Sequence, residues 1–169
     1  AMQDPFGEAS GKGIEEMRNA GIKVKVGLFE EEARKLNRGY LSRIERNRPF
    51  VRLKVAASMD GATAMKSGES EWITGIEARR DVQKLRASSD AILTGVGTIL
   101  DDNPLMNLRD ASYTEKQPLR VILDSYLRTP EDAKIFRSEG STTIFCLDDK
   151  NRSKYDNKKV SIIKVVEKN

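Results

Sequence analysis

The chain has 169 residues, a net charge of +4, and is 38% hydrophobic and 33% charged; this bounds it to about one domain, or one domain with an appended piece, and excludes wholesale disorder. Apolar runs such as "AIL" and "VIL" fall far short of the ~20 residues of a membrane span, and the opening "AMQDPFGEASGKG" has no apolar signal core, so a soluble, cytoplasmic setting is expected. The chain contains no histidine and one cysteine, which excludes a His–Cys zinc site, a Ser–His–Asp triad and imidazole acid–base chemistry, leaving carboxylates, Lys, Tyr, water or a cofactor.

"GIEEMRNAGIKVKVG" reads as a helix ending at Ala20–Gly21, with Gly21 as the residue just past its end, followed by a short strand Ile22–Val26. "EEEARKLNRGYLSRIERNR" is a second helical stretch, with Ala33, Leu36, Tyr40, Leu41 and Ile44 at helical spacing, stopped by Pro49. "FVRLKVAAS" alternates, with Val51, Leu53, Val55 and Ala57 on one side and Arg52 and Lys54 on the other, which predicts a strand. A polar loop around the single Trp72 follows. Thr74-Gly-Ile-Glu77 matches a capping box, so a helix is expected from about Gly75, with Ala78, Val82 and Leu85 as its apolar stripe. "DAILTGVG" is a strand running into glycines, with a short helix expected from Thr98. Leu119–Asp124, Thr142–Leu147 and Val160–Val166 are further strands, and Cys146, inside "TTIFCL", reads as core packing in a reducing setting. Alternating strands and helices predict an α/β fold with a largely parallel, helix-covered sheet. The chain stops three residues after its last apolar strand, which sets up the expectation of an incomplete domain.

Three stretches carry candidate chemistry. Glycines after a strand, Gly95-Val-Gly97, let backbone N–H groups approach a phosphate; the same pattern also reads as an ordinary tight strand–helix turn. Arg79, Gln83 and Arg86 share a helix face that suits phosphate or carboxylate, with Arg109 able to join it, and that face also reads as a solvated helix surface. In "MDGATAMKSGESEWIT", Asp60-Gly61 supplies a carboxylate and a turn, and Ser70 and Thr74 bracket Trp72, against which a nicotinamide, flavin or pyrimidine ring fits; a Trp packed over a sheet end is the plainer reading. Aromatic residues make only 6% of the chain, so no stacking platform for nucleic acid is expected.

These stretches occur in a familiar order: K-x-x-x-S-x-D-G-x-x-A, S-G-E-S-x-W-I-T, A-R-x-D-V, L-R-A, then D-A-I-L-x-G-x-x-T-x-x-x-D-x-P-x-L-x-x-R, followed by "PLRVILDSYLRTP". Residues 48–109 closely resemble the reductase domain of the bifunctional riboflavin-biosynthesis deaminase/reductase family, and the front of the chain is similar to the tail of the preceding deaminase domain and its connector. The resemblance implies a dihydrofolate-reductase-like sheet with helices on both faces over 47–169, and a short helix–strand–helix remnant over 1–46. It implies NADPH as cofactor, a phosphorylated pyrimidine, 5-amino-6-(5-phosphoribosylamino)uracil, as substrate, and a homo-oligomer. Family residues matching Ala56, Trp72, Thr98, Asp102 and Ser125 contact NADPH, and those matching Ser70, Arg86, Met106 and Arg109 contact substrate. Lys54 and Asp60 fall near the reacting carbon, where hydride transfer needs no imidazole.

Two departures qualify the expectation. The zinc deaminase signature, His-x-Glu with Pro-Cys-x-x-Cys, is absent, so no zinc and no deamination are expected of this chain. The family's glycine-rich pyrophosphate segment and an acidic substrate contact do not occur before Asn169. The chain is therefore expected to be an internal fragment or truncated product, inactive alone. The alternative is a catalytically inactive domain of the same ancestry that binds nucleotide or a subunit.

Overall fold

The computed structural model describes residues 2–70, 72–114, 116–156 and 158–166, which form two compact units, Ala1–Val55 and Ala56–Asn169. In the first, α1 (Lys12–Asn19) stops at Ala20 because Gly21 turns left-handed, φ 78°. The Gly21 N–H then donates to the Arg18 carbonyl and the Ile22 N–H to the Met17 carbonyl, each at 2.9 Å. That is the paired arrangement that satisfies carbonyls left open at a helix end, and it places Gly21 as expected. The strand expected at Ile22–Val26 does not form.

The single helical stretch expected after it divides into α2 (Glu30–Leu36) and α3 (Arg38–Arg46). The break is at Asn37, where the backbone N–H at 3.1 Å and the side-chain amide at 2.8 Å both donate to the Ala33 carbonyl and close the end of α2. The turn sends Leu36 to solvent at 87% exposure, while Leu41 and Ser42 of α3 are buried. Arg34 reaches both Glu45 oxygens at 2.7 Å, tying α2 to α3. The strand expected at 51–57 is also not formed: Val51, Leu53 and Val55 alternate but are exposed, and no described strand pairs with them. Alternation gives a segment its two faces, but a strand also needs a neighbouring edge for its N–H and C=O groups.

The second unit holds α4 (Ile76–Ala87), then β1 (Ala91–Gly95), α5 (Val96–Asp102), β2 (Leu119–Leu123), β3 (Thr142–Cys146) and β4 (Val160–Lys164), with 3₁₀ turns at Lys134–Phe136 and Arg152–Tyr155. The four strands are parallel and lie in chain order. This is an α/β fold. Register puts Thr94, Ile122, Ile144 and Ile162 in one row across the sheet. On that face Val96 and Ile99 of α5, Ile135 and Tyr155 complete a core with Ile122, Ile144 and Cys146. Cys146 is thus a packing residue, its thiol pushed above the ordinary range first by burial. On the opposite face Leu93, Leu123 and Ile163 stay exposed.

α4 starts near the expected place, but its N-cap is Gly75 and no side chain caps it, so the capping box from Thr74 is not made. α5 starts at Val96 rather than Thr98, which puts Gly97 inside the helix instead of in a loop before it. Neither Gly95 nor Gly97 has a positive φ, and a Cβ built on either meets nothing within 4 Å. The local backbone therefore tolerates both readings of this turn.

Candidate functional site

In a parallel sheet, ligands bind beyond the carboxyl ends of the strands. Here those ends lead into Val96 of α5, the Asp124–Thr129 turn and Leu147–Asp148. The turn after β2 is built around Asp124, which is 1% exposed. Its Oδ2 accepts the Thr129 N–H at 2.7 Å and the Thr129 hydroxyl at 2.8 Å. Oδ1 makes no hydrogen bond of full geometry and has the Arg128 Nε at 3.8 Å. Burial alone would raise this carboxyl. The backbone N–H groups of Arg128, Thr129 and Tyr126, with the Thr129 hydroxyl, outweigh burial and hold it below the ordinary carboxylate range. The turn includes Leu127 at φ 53°, a strained value for leucine, offset by complete burial of its side chain.

Ser125 is held within this turn. Its carbonyl accepts N–H groups from Leu147 at 3.0 Å and Asp148 at 2.9 Å, fixing the ends of β2 and β3 to each other. Behind it the Tyr155 hydroxyl donates to the Thr129 carbonyl at 2.7 Å, and Lys154 donates to the Leu127 carbonyl. Burial, then the Asp124 charge, pushes the Tyr155 phenol well above its ordinary value, so it stays a donor.

The second cluster forms where α4 meets the segment after α5. Arg86 donates to the Asn107 carbonyl at 2.6 Å, and Gln83 accepts the Arg109 N–H at 3.0 Å. From the other side Gln117 both accepts the Leu108 N–H and donates to its carbonyl, each at 2.9 Å. Asn103, at the end of α5, is left-handed and accepts the Lys134 N–H at 2.8 Å. Met106 lies in this clamped segment at φ 52°. The fold thus brings Arg86, Met106 and Arg109 into one neighbourhood. Burial first, and the nearby Arg109 charge second, hold the Arg86 guanidinium below its usual value. Two cations kept this close, with no carboxylate in a salt bridge to either among the described residues, suit an anion.

The remaining candidates are more open. Thr98 and Asp102 lie exposed on α5, and Ser70 and Ala56 are half-buried. Asp60 sits in a turn closed by the Gly61 N–H to the Ser58 carbonyl at 3.0 Å; the Ser58 hydroxyl donates to the Asp60 carboxylate and lowers its pKa. Gly61 at φ 85° makes that turn possible. Trp72 is 67% exposed, and the Arg79 guanidinium lies over its ring, 4.1 Å from the centroid. Lys54 belongs to the first compact unit and the other candidates to the second. Sequence reasoning missed Asn107, Gln117, Asp124 and Thr129 as organisers of these two clusters. For Asp124 a signal was present: an Asp ending a strand is a turn-forming residue whose carboxylate accepts nearby backbone N–H groups.

A cavity of about 460 Å³ lies at the amino ends of the strands, lined by Asp90, Gln117, Leu119 and Ser141. Ser125 follows the carboxyl end of β2, whereas Gln117, which clamps the segment carrying Met106 and Arg109, also lines this cavity. Among the described residues no group of three or more His, Cys, Asp or Glu is placed to hold a metal ion, and no helix is long and apolar enough to cross a membrane.

The family model described as RibD C-terminal domain matches residues 49–168. This chain belongs to that family. The RibD relatives named "Riboflavin biosynthesis protein RibD" include one from Haemophilus influenzae, 46% identical over 147 residues, covering 80% of this chain and 40% of the relative. Another, from Escherichia coli, is 42% identical over 153 residues, covering 84% and 42%. The chain therefore spans about two-fifths of the length of these RibD relatives. Among solved structures, RibD from Acinetobacter baumannii superposes with TM-score 0.83 at 41% identity, covering 99% of this chain and 47% of that one. A deaminase/reductase from Thermotoga maritima gives TM-score 0.79 at 29% identity, with 97% and 52% covered. The sheet has the dihydrofolate-reductase-like fold of the RibD reductase domains.

Proposed function

We propose that this chain is the reductase part of a riboflavin-biosynthesis enzyme, transferring hydride from NADPH to the ribosyl carbon of 5-amino-6-(5-phosphoribosylamino)uracil. The observation that carries the reading is the neighbourhood of Arg86, Arg109 and the Met106 segment: two mutually repelling guanidiniums, one on α4 and one on the segment clamped against it, suited to a sugar phosphate. The family match supports the reaction class, and the Thermotoga maritima relative is titled a 5-amino-6-(5-phosphoribosylamino)uracil reductase. In this reading NADPH supplies the hydride when bound. Ser125, Trp72, Thr98, Asp102 and Ala56 hold it, Ala56 through its backbone. Ser70, Arg86, Arg109 and the Met106 backbone hold substrate, and Lys54 and Asp60 attend the reacting carbon. Residues 1–46 are a deaminase-domain tail and 47–169 reductase; the working form is a cytoplasmic homo-oligomer without zinc in this chain. Absorbance of the reduced nicotinamide, followed with NADPH and the phosphoribosylaminouracil substrate, tests the activity. Steady, substrate-dependent oxidation is expected of the reductase.

A second reading, a domain that binds nucleotide or a subunit without turnover, is favoured by the stretch 51–57, which holds Lys54 and Ala56, pairs with no described strand and exposes Val51, Leu53 and Val55. Tight NADPH binding without oxidation in the same assay would decide for it. In both readings NADPH reaches Trp72, the only tryptophan, so its emission should fall on titration with the cofactor. Trp72→Ala should weaken NADPH binding by roughly 1 kcal/mol, the scale of one aromatic contact. Unchanged emission at saturating NADPH would remove Trp72 from the cofactor site.

A further inference from the structure

The Arg79–Trp72 stack has no place in the roles above. One face of the indole is covered by a guanidinium 4.1 Å from the ring centroid, yet the residue is still 67% exposed. Arg79 reaches the ring from the first turn of α4, where its backbone N–H is bonded to the Gly75 carbonyl at 3.2 Å. A ring that lies against Trp72 must therefore either displace Arg79 or take the opposite face. On that face it meets an indole whose π density is already drawn toward a cation.

We propose that Arg79, acting through Trp72, is a specificity-determining residue that favours the reduced over the oxidised nicotinamide. The inference rests on the reading that the nicotinamide lies against Trp72. The reduced ring is neutral and the oxidised ring carries a positive charge. With the guanidinium on one side and a ring at contact distance of about 3.5 Å on the other, the two charges would be about 7.5 Å apart across the indole. At the high effective dielectric of this exposed site their repulsion corresponds to about a three- to tenfold preference for the neutral ring. The cofactor that leaves after giving up its hydride is then the form the stack holds less well.

The test measures dissociation constants of NADPH and NADP⁺ by calorimetry for the unaltered chain and for Arg79→Gln, Arg79→Lys and Arg80→Gln, with Trp72 emission followed in parallel. The unaltered chain should bind NADPH more tightly than NADP⁺. The ratio should fall about three- to tenfold in Arg79→Gln. It should largely survive in Arg79→Lys, which keeps the charge, and in Arg80→Gln, which removes the same charge one position along the helix. An equal ratio in the unaltered chain and Arg79→Gln, or an equal fall in Arg80→Gln, overturns the proposal while leaving cofactor binding at Trp72 intact. Binding that leaves Trp72 emission unchanged, or no binding of either nucleotide, defeats the underlying reading and the proposal with it.

Discussion

Arg109→Ala should raise KM for the phosphorylated substrate about ten- to hundredfold and leave a dephosphorylated analogue nearly unaffected, since a charge-assisted hydrogen bond contributes about 1.5–3 kcal/mol. Arg86→Ala should lose at least as much, but its effect should divide differently. Arg86 already donates to the Asn107 carbonyl, so its removal also loosens the segment that carries Met106. Part of the loss should therefore persist with the dephosphorylated analogue. Arg86→Lys keeps the charge but not the fork that serves Asn107 and an anion together, and should fall between. Where turnover is absent, the dissociation constant of the same substrate gives the same comparison. Equal losses for both substrates in both alanine variants would assign these arginines to structure alone.

The parts of this fold that were legible in the sequence are those decided within a few residues. Gly21 ends α1 because a left-handed residue there closes two local hydrogen bonds, which needs no knowledge of the rest of the chain. The apolar runs that became β2 and β3 were read within one residue of their ends because their β-branched residues admit little else. What failed depended on partners. Residues 51–57 have a strand's alternation, but pairing is non-local, and no described strand offers them an edge. The break at Asn37 coincides with a local side-chain bond to the Ala33 carbonyl, which helical spacing does not reveal. The site divides the same way. Arg86 and Gln83 could be placed on one helix face by spacing. Their partners Asn107 and Arg109 lie 21 and 26 residues further on, a distance that periodicity does not bridge. The basic face suggested that Arg109 could join Arg86 and the resemblance gave both a substrate role, but neither pointed to Gln117, which clamps the segment from the other side.

Asp124→Ala should destabilise the second unit by about 3 kcal/mol and lower its melting temperature by roughly 10 °C, more than any exposed substitution discussed above. The carboxylate accepts both the N–H and the hydroxyl of Thr129, which is itself fully buried. Removing the acceptor leaves those donors dry, and each unsatisfied buried group costs about 1–3 kcal/mol. Asp124→Asn keeps one acceptor oxygen of similar shape and should cost about half as much. The two differ further in acid. The folded-state pKa of Asp124 lies below its unfolded value, so its contribution is fully present above the unfolded carboxylate value of about 4 and is lost as pH falls through the folded one. Melting curves of the unaltered chain should therefore decline more steeply below about pH 4 than those of Asp124→Asn, which has no proton to take up there. The consequence for function follows from Ser125, whose carbonyl ties β2 to β3 one residue after the carboxylate. If the turn presents Ser125 to the cofactor, NADPH affinity should fall in Asp124→Ala even at temperatures where the sheet remains folded by circular dichroism. Asp124→Asn should restore most of it. An affinity that tracks only the folded fraction in both variants would make Asp124 a determinant of stability and nothing more.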